Sequence, residues 1–397
     1  MTDTSAGSAA GSPSPVLSAA ETRAAESLLA QALGKQVAVS SAERFLDRSH
    51  IVRLRMADCD GSAILKRRRP EDFGGRVRGF GAELAALAFL NDEETAIAPR
   101  LLGASADMLL MEDLGPGSSL AHTLLAGDRD RAEADIIGYA RALGSMHSWS
   151  IGRTSEFEAL WARHAAPAPV QPELLQRVTE GTEPFLAVAA RLGLPLQGVA
   201  DEIGSLPALL RDSGHSGLVH GDPCPDNTHI ADGKWRIFDF ETAGWGPIAL
   251  DVVYLLAPFP SCWCFAALPA SAAEPALRAY RDQLTQAGIY LGASWDAALT
   301  AAQAAWVVVR GAGIGRALDA DRDWGTTTVR PRLLAWLRSF IDAEAATGVL
   351  PRLRSLTEAL HAELADRWPS TVIPSYPALA PPGAPLAGVP DWWESGG

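Results

Sequence analysis

The chain has 397 residues, of which 48% are apolar and 20% charged, enough for a sizeable buried core divided between two lobes or domains. Its formal net charge of −13 argues against nucleic acid as the main partner, because binding a polyphosphate normally needs a basic face. No run of about 20 apolar residues is present, and residues 1–14 lack the basic start and apolar stretch of a signal peptide. We therefore expect a cytoplasmic protein without membrane or nucleic-acid partners, and its oligomeric state stays open.

The cysteines do not form a recognisable framework. Cys59, Cys224, Cys262 and Cys264 show neither a CxxC pair nor the density of a secreted disulfide scaffold. Cys262 and Cys264 are the only close pair, and no neighbouring residue completes a tetrahedral metal set around them. We interpret these residues as free, buried thiols.

The first part of the chain predicts a small lobe rich in strands. Residues 1–15 are rich in Ser, Gly, Ala and Pro and are predicted to be disordered. Residues 16–114 form the predicted N-terminal lobe, with one helix at 17–33 that ends at Gly34 and another at 79–90. Strands are predicted at 37–46, 50–56, 62–68, 100–103 and 108–111.

The rest of the chain predicts a larger helical lobe over residues 115–368. The amphipathic pattern at 132–147 and the alanine-rich stretch at 295–309 are the clearest helices. Residues 218–240 differ, with short apolar runs around a turn at Asp232-Gly233. The proline-rich tail, 369–397, is predicted to be extended. The fold class is therefore α+β.

The segment with the most chemistry is HGDPCPDN at 220–227, which IFDFE follows at 237–241. Phosphoryl transfer needs a carboxylate that positions the acceptor, ligands for a metal ion on the phosphates, and a cation beside them. Asp222 and Asn227 can supply the first two on one short loop. Asp239, which ends an apolar strand, can hold the other side of the metal, and the amide oxygen of Asn227 is a hard donor suited to Mg²⁺.

This stretch resembles the aminoglycoside phosphotransferase and choline kinase group, whose pattern is H-G-D-x-x-x-x-N and then an apolar strand ending in D-[FWY]-[ED]. The resemblance implies a two-lobed, protein-kinase-like fold with a small antiparallel β-sheet lobe and a larger, mainly helical lobe. It also implies ATP and Mg²⁺ as cofactors, with Asp222 as the catalytic base and Asn227 and Asp239 as magnesium ligands.

The same resemblance implies three supporting residues. His220 is expected to brace the loop, and Glu241 is expected to lie near the metal or the substrate. Asp251 matches the aspartate that usually follows in this group, and we expect it to support the loop structurally.

Lys66 supports the interpretation from another part of the chain. It is one of only three lysines, and it stands in a predicted strand of a chain that otherwise uses arginine. A kinase-like site needs a lysine there to meet the α- and β-phosphates, and a guanidinium does not replace an ammonium. Glu83, on the next predicted helix, is expected to form the ion pair that positions Lys66. A surface glutamate is the alternative.

Two further segments are expected to meet the nucleotide. Glu112 and Leu114 lie just before a Gly-Pro-Gly break, at the position of the family's hinge, where backbone groups contact adenine. An ordinary strand end is the alternative. The phosphate-covering loop is expected near residues 47–50, with Ser49 as a phosphate contact, although no GxGxxG pattern is present.

The acceptor side is the least defined. Cys224 and Asp226 stand where family members often have histidine and glycine or alanine. Asp226 and Trp263 are the predicted substrate contacts, with a packed aromatic core as the alternative for Trp263. Acids in the segment before the loop predict an amine-bearing acceptor, unless they lie on solvated helix faces. These acids are Glu156, Glu158, Glu173, Glu180, Glu183, Asp201 and Glu202.

The leading hypothesis is a small-molecule kinase that moves the γ-phosphate of ATP to a hydroxyl of an aminoglycoside-like compound, an amino sugar or an amino alcohol. A protein kinase is disfavoured because no Ala-Pro-Glu segment follows Asp239. The alternative of another class is a nucleotide-binding pseudokinase that acts as an interaction protein. The complete set of Lys66, Asp222, Asn227 and Asp239 argues against it.

Overall fold

The structure is a computed structural model that describes residues 16–45, 48–57, 61–69, 78–91, 96–212, 215–390 and 393. The chain divides into two compact units. The first, here called the sheet unit, contains the residues up to Arg69 together with Leu101–Asp113. The second, the helical unit, contains Pro70–Arg100 and the chain from Leu114 onward. Residues 70–100 thus belong with the helical unit, although they lie inside the predicted N-terminal lobe.

The sheet unit is a five-stranded antiparallel sheet with one helix packed on it. The strands follow the order β1-β2-β3-β5-β4, and α1 contacts β4 and β5. The elements are α1 (Ala19–Leu33), β1 (Val39–Phe45), β2 (Arg48–Met56), β3 (Ser62–Arg67), β4 (Leu101–Ala104) and β5 (Met108–Glu112). Helix α1 begins at a capping box formed by Ser18 and Glu21 and ends at Gly34, whose φ is 65°.

Strand register places the apolar residues of this sheet on one face. Val52 pairs with Leu65, and Leu65 pairs in turn with Leu110 on the next strand. All three are completely buried in one core cluster with Leu29 of α1. Because side chains alternate between the two faces of a strand, a slip of one residue would move this whole set out of the core.

The helical unit contains the remaining elements. Before the predicted catalytic loop lie α2 (Arg78–Phe89), α3 (Leu120–Leu125), α4 (Arg129–Ser150), α5 (Thr154–His164), α6 (Glu173–Arg191), α7 (Val199–Arg211) and β6 (Ser216–Val219). After it lie β7 (Thr228–Ala231), β8 (Lys234–Ile237), β9 (Gly244–Pro247), α8 (Ala249–Val252), α9 (Ala270–Gln286), α10 (Trp295–Gly311), α11 (Ile314–Asp319), β10 (Asp323–Trp324), β11 (Thr327–Thr328), α12 (Val329–Thr347) and α13 (Pro351–Arg367). Short antiparallel pairs join β6 to β9, β7 to β8 and β10 to β11.

Helix α10 lies at the centre of the helical unit, where it contacts α6, α7, α8 and α12. Its alanine-rich sequence lets these neighbours approach closely, and most of its residues are buried on every side. Gly311 shows how close the approach is, because a Cβ at that position would lie 2.5 Å from the ring of Phe185 on α6. The alanine-rich stretch predicted at 295–309 is thus a core helix.

The predicted α+β fold class is confirmed, with a small antiparallel sheet and a mainly helical remainder. The proline-rich tail packs against the rest of the helical unit, and Tyr376 and Leu379 in it are buried. The Tyr376 hydroxyl donates to the Cys264 carbonyl at 2.7 Å, and Arg129 donates to the Leu379 carbonyl at 3.0 Å. Residues 1–15, predicted to be disordered, lie outside the described residues. Within the described chain, every helix is too short or too polar to cross a membrane.

Candidate active site

The loop at 220–227 leaves β6 through a turn that requires glycine. Gly221 has a φ of 80°, and a Cβ there would lie 2.5 Å from the Thr242 carbonyl oxygen. His220 links this loop to the segment that carries Asp239. Its Nε2 donates to the Phe238 carbonyl at 3.0 Å, and its Nδ1 accepts from the Asp222 amide at 3.3 Å.

Asp251 fixes the backbone at the start of the loop. Its buried carboxylate accepts the amide of His220 at 2.7 Å and the amide of Gly221 at 2.9 Å. The same carboxylate lies 3.1 Å from Nε2 of His147, whose Nδ1 lies 2.8 Å from the Tyr280 hydroxyl. A buried carboxylate with several donors is strongly held, so this network sets the direction in which Asp222 leaves the loop. Sequence analysis did not identify His147.

Asp222 is oriented by a short relay of hydroxyl groups. Ser261 Oγ donates a hydrogen bond to Asp222 Oδ1. Because a serine hydroxyl has only one proton, the Tyr254 hydroxyl, 2.8 Å from Ser261 Oγ, must be the donor in that contact. Burial raises the pKa of the Tyr254 phenol well above its ordinary value, so it stays a protonated donor. The order of donation is therefore Tyr254 to Ser261 to Asp222.

The charge state of Asp222 follows from the same surroundings. Burial is the largest influence and raises the pKa of the carboxyl above its ordinary value. The hydrogen bond from Ser261 lowers that pKa, and the neighbouring Asp239 raises it. No hydrogen bond from the described part of the chain reaches Asp222 Oδ2. This oxygen is therefore the one that can accept a proton from a bound molecule.

A disulfide bond lies beside Asp222. Cys224 and Cys262 are joined, with their Cα atoms 5.7 Å apart. The Cys224 sulfur lies 3.0 Å from Asp222 Oδ1, in a contact without a proton because a disulfide sulfur carries none. The prediction of free thiols is wrong for this pair, whose partners approach only through the fold. Cys264 is free and buried, as predicted, and Cys59 lies outside the described residues.

The predicted metal ligands are Asn227, at the end of the loop, and Asp239, at the start of the turn after β8. Asp239 adopts a left-handed conformation with φ 69° and ψ 56°, which aspartate tolerates better than most residues, and it opens the short turn Phe240–Thr242. Carboxylate oxygens of Asp239, Glu241 and Glu83 all lie within 4.8 Å of one another. Asn227 uses Nδ2 to donate to the Asp222 carbonyl at 2.9 Å, so its Oδ1 is the atom left for a cation.

This donor set fits Mg²⁺. It consists only of carboxylate and amide oxygens, which are the ligands that Mg²⁺ prefers. Three carboxylates so close together repel one another, and a divalent cation would remove that repulsion. Glu83 is nearly fully buried, with 2% of its surface exposed, and α2 packs against the turn at Phe240–Thr242. Its place beside Asp239 and Glu241 was not predicted.

Among the residues predicted to meet the nucleotide, Lys66, Ser49 and Glu112 belong to the sheet unit and Leu114 to the helical unit. Lys66 lies on β3 between Ile51 of β2 and Leu109 of β5, with 5% of its surface exposed. Glu112 ends β5, opposite Ala63. A lysine at the middle of a sheet is expensive to bury unless its ammonium group has a role there. Its pairing with Glu83 stays a prediction, because the two residues belong to different units.

Two predicted nucleotide contacts remain: the strand end before Leu114 and the phosphate loop that contains Ser49. Asp113, just before Leu114, accepts from Arg53 Nε and from Ser62 Oγ, each at 2.7 Å, which fixes the end of the strand. The predicted phosphate loop is a hairpin in which Phe45 pairs with Arg48, so Arg48 already belongs to β2. Residues 46–47 and the side chain of Ser49 lie outside the described parts of the structure. The role of Ser49 therefore stays a prediction.

The predicted acceptor contacts meet each other directly. Trp263 Nε1 donates to Asp226 Oδ2 at 2.7 Å, and the Trp263 ring lies 4.5 Å from that of Trp393. Most of the acids in the preceding segment are exposed. Glu156 forms an ion pair with Arg153, and Glu202 accepts backbone amides at the start of α13. The structure thus favours solvated helix faces over an acidic acceptor pocket for these residues.

The comparisons agree with the resemblance found in the sequence. The model of the phosphotransferase enzyme family matches residues 44–290, so the chain belongs to this family. Solved structures that resemble the chain include a macrolide 2′-phosphotransferase from Brachybacterium faecium, at 18% identity over 74% of this chain and 93% of that one, with a TM-score of 0.45. A choline kinase from Cryptosporidium parvum shows 13% identity over 77% and 89%, with a TM-score of 0.46. No curated protein matches the sequence.

One consequence of the hydroxyl relay can be tested by pH. Replacing Ser261 with Ala removes a hydrogen bond that favours the carboxylate, so the pKa of Asp222 should rise further above its ordinary value. The acid limb of the kcat/KM profile for phosphoryl transfer should therefore move to higher pH. Ser355→Ala, at an exposed position on α13, is the matched control. An unchanged acid limb in Ser261→Ala would show that the relay does not act on Asp222.

Proposed function

We propose that this phosphotransferase is an ATP- and Mg²⁺-dependent kinase that transfers the γ-phosphate of ATP to a hydroxyl of a small molecule. The observation that carries the proposal is the arrangement around one loop. The Asp222 carboxylate is held on its Oδ1 side by Ser261, and the oxygen donors of Asn227 and Asp239 lie on the same loop and on the turn that His220 joins to it. These are the parts that phosphoryl transfer needs, because the protein mainly positions the reactants and stabilises charge.

Asp222 is the proposed base. In the reaction the acceptor oxygen forms a bond to the γ-phosphorus, the bond to the β-phosphate oxygen breaks, and the acceptor proton passes to Asp222 Oδ2. A carboxyl whose pKa is raised by burial accepts a proton more readily than an ordinary aspartate. Asp251 and His220 keep the loop fixed while the proton moves, since both bind its backbone.

The metal side is assigned to Asn227 and Asp239, with Glu241 and Glu83 beside them. Bound Mg²⁺ would neutralise charge on the phosphates. Lys66 is the proposed cation for the α- and β-phosphates, and Glu112 and Leu114 are the proposed adenine contacts through their backbone. Among acceptors, aminoglycoside-like compounds, amino sugars and amino alcohols are the classes that the sequence suggested.

Measuring ATP consumption distinguishes the proposed kinase from the pseudokinase alternative. A pseudokinase would bind ATP without consuming it, whereas the proposed enzyme consumes ATP when an acceptor is present. A screen of phosphate transfer against aminoglycosides, sugars and amino alcohols provides the measurement. Loss of ATP consumption in Asp222→Asn shows that the signal comes from this site.

The metal proposal predicts a cooperative effect on stability. ATP with Mg²⁺ should raise the melting temperature more than ATP alone, because a ligand that binds only the folded state stabilises it by an amount that grows with its affinity. At a ligand concentration of 100 Kd this amounts to about 2.7 kcal/mol. Thermal-shift titrations with ATP, Mg²⁺ and both together provide the measurement. Equal shifts by ATP with and without Mg²⁺ would contradict the roles of Asn227 and Asp239.

A further inference from the structure

Arg310, near the end of α10, is enclosed by three indole rings. Its Cζ lies 5.1 Å from the ring centre of Trp306, 5.0 Å from that of Trp324 and 5.7 Å from that of Trp336. The side chain is deeply enclosed and still keeps an intermediate accessible surface, which is the combination expected of a group that lines a recess. Rings hold the flat guanidinium in one orientation, because cations are attracted to aromatic faces.

The polar atoms of this enclosure are donors that lack acceptors. Across the described chain, no carboxylate, carbonyl or hydroxyl accepts a hydrogen bond from Arg310, and its Nε is fully buried. The Nε1 atoms of Trp306 and Trp336 are likewise buried without an acceptor. Buried polar groups in proteins are nearly always hydrogen-bonded, so an enclosure with an excess of donors calls for a group that can accept.

A neighbouring arginine shows what a structural role looks like in the same region. Arg332 also lies over the Trp324 ring, at 4.2 Å, but it donates to the carbonyls of Cys262 at 2.6 Å and Trp263 at 2.8 Å. It thereby fixes the segment that holds Ser261. Arg310 makes no such bonds, so cation–π packing alone leaves its hydrogen-bonding capacity unused.

A second positive charge increases the imbalance. Burial, and then the charge of Arg177 on α6, lower the pKa of Arg310 to about 10. Helices α6 and α10 approach closely here, because a Cβ on Gly181 would lie 3.4 Å from the Val308 carbonyl oxygen. No ion pair to Arg177 occurs among the described residues. Two adjacent guanidinium groups favour the binding of an anion between or beside them.

Arg310 lies near the proposed base. The Tyr254 ring meets Trp306 edge to face, with ring centres 5.8 Å apart, and the Tyr254 hydroxyl lies 3.4 Å from Asp222 Oδ1. Arg310 is also close enough to lower the pKa of Asp222 by its charge, although this is the smallest of the influences on that group. Tyr254 and Trp306 thus connect Arg310 to Asp222, which places this cation close to the proposed base.

We propose that Arg310, assisted by Arg177, binds a carboxylate of the acceptor, so that the molecule phosphorylated is a hydroxycarboxylic acid. This inference rests on the proposed function. A planar guanidinium binds a carboxylate through two parallel N–H···O bonds, which would also orient the hydroxyl toward Asp222. A carboxylate at Arg310 is compatible with an amine elsewhere in the molecule, because Asp226 lies on the same loop as Asp222. The inference therefore places a carboxylate on the acceptor, whereas the acidic residues of the sequence suggested only an amine.

The test compares hydroxy acids with their uncharged counterparts. Glycerate, gluconate, glucuronate and homoserine are offered as acceptors with ATP and Mg²⁺, each beside its primary amide. The acids should be phosphorylated with a lower KM than the amides. Arg310→Gln should raise KM for the acids by about 10- to 100-fold, because hydrogen bonds to charged groups are among the stronger ones, and leave KM for ATP unchanged. Arg338→Gln, an exposed arginine of α12, is the matched control.

A second arm does not depend on turnover. Millimolar gluconate should raise the melting temperature of the wild-type protein without ATP, gluconamide should not, and the effect should disappear in Arg310→Gln. Arg177→Gln, on the neighbouring helix α6, replaces it where Arg310→Gln fails to fold, and should weaken the effect. The inference is overturned if acids and amides stabilise the protein equally or are phosphorylated equally.

Different results would contradict the proposed kinase function and the inference about the acceptor. If wild-type protein and Asp222→Asn consume ATP at the same rate with every compound, the proposed function fails, whatever the carboxylates do to the melting temperature. If phosphate transfer occurs but ignores the carboxylate and Arg310, the kinase assignment stands and the inference about the acceptor is wrong.

Discussion

Asp222→Asn is expected to lower kcat by about 10²-fold or more, the range for a removed general base. The substitution keeps the size of the side chain, and the amide oxygen can still accept the hydrogen bond from Ser261. An amide cannot accept the acceptor proton at neutral pH, however, so the loss should fall on turnover. Steady-state kinetics with the acceptor found in the screen provide the measurement.

The same variant should still bind the nucleotide. The melting-temperature shift with ATP and Mg²⁺ should remain near the wild-type value, because the proposed metal ligands are intact. Asp342→Asn, at an exposed position on α12, is the control for a general effect of losing an aspartate. Turnover like that of the wild type in Asp222→Asn would show that this carboxyl is not the base.

Asp239→Asn should have the second large effect, a loss of about 10³-fold in kcat/KM. A metal ion contributes several kcal/mol to the stabilisation of charge in the transition state, and each 1.36 kcal/mol is a factor of about ten. Asparagine is the appropriate replacement because it also tolerates the left-handed conformation seen at this position. The backbone should thus be preserved while one negative charge is lost.

This variant is distinguished from the first by its nucleotide binding. The extra thermal shift that Mg²⁺ adds to ATP should shrink or vanish in Asp239→Asn, whereas Asp222→Asn should keep it. A full Mg²⁺-dependent shift in Asp239→Asn would exclude this residue as the main magnesium ligand. The pair of variants therefore separates the proton-accepting role from the metal-binding role within one loop region.

The sequence predicted the parts of the site that are local. Asp222 and Asn227 share one short loop, and Asp239 comes two residues after the hairpin of β7 and β8 that follows it, so their spacing in the chain already limits their spacing in the structure. Strands of the sheet unit were predicted within a few residues, because their alternating apolar pattern is set by burial on one face. Asp251 was predicted from the family pattern alone.

The residues that the sequence did not predict are brought in by tertiary packing. Ser261, Tyr254 and His147 contact the loop from segments distant in the chain, and nothing in their local sequence marks them. The burial of Tyr376 in the tail was not predicted either, because it depends on a distant segment whose Cys264 carbonyl accepts its hydrogen bond. No sequence motif marks Arg310, because the three indole rings around it come from separate positions in the chain.

The disulfide closes a covalent ring of the chain around most of the proposed metal site. Cys224 and Cys262 are separated by 38 positions, and Asn227, Asp239, Glu241 and Asp251 all lie between them. A ring of this length restricts the unfolded chain and adds about 4 kcal/mol to stability by the loop-entropy estimate. Reduction opens the ring and leaves a thiol next to the Asp222 carboxylate. Buffers with and without a reducing agent would thus contain two covalently different forms of the protein.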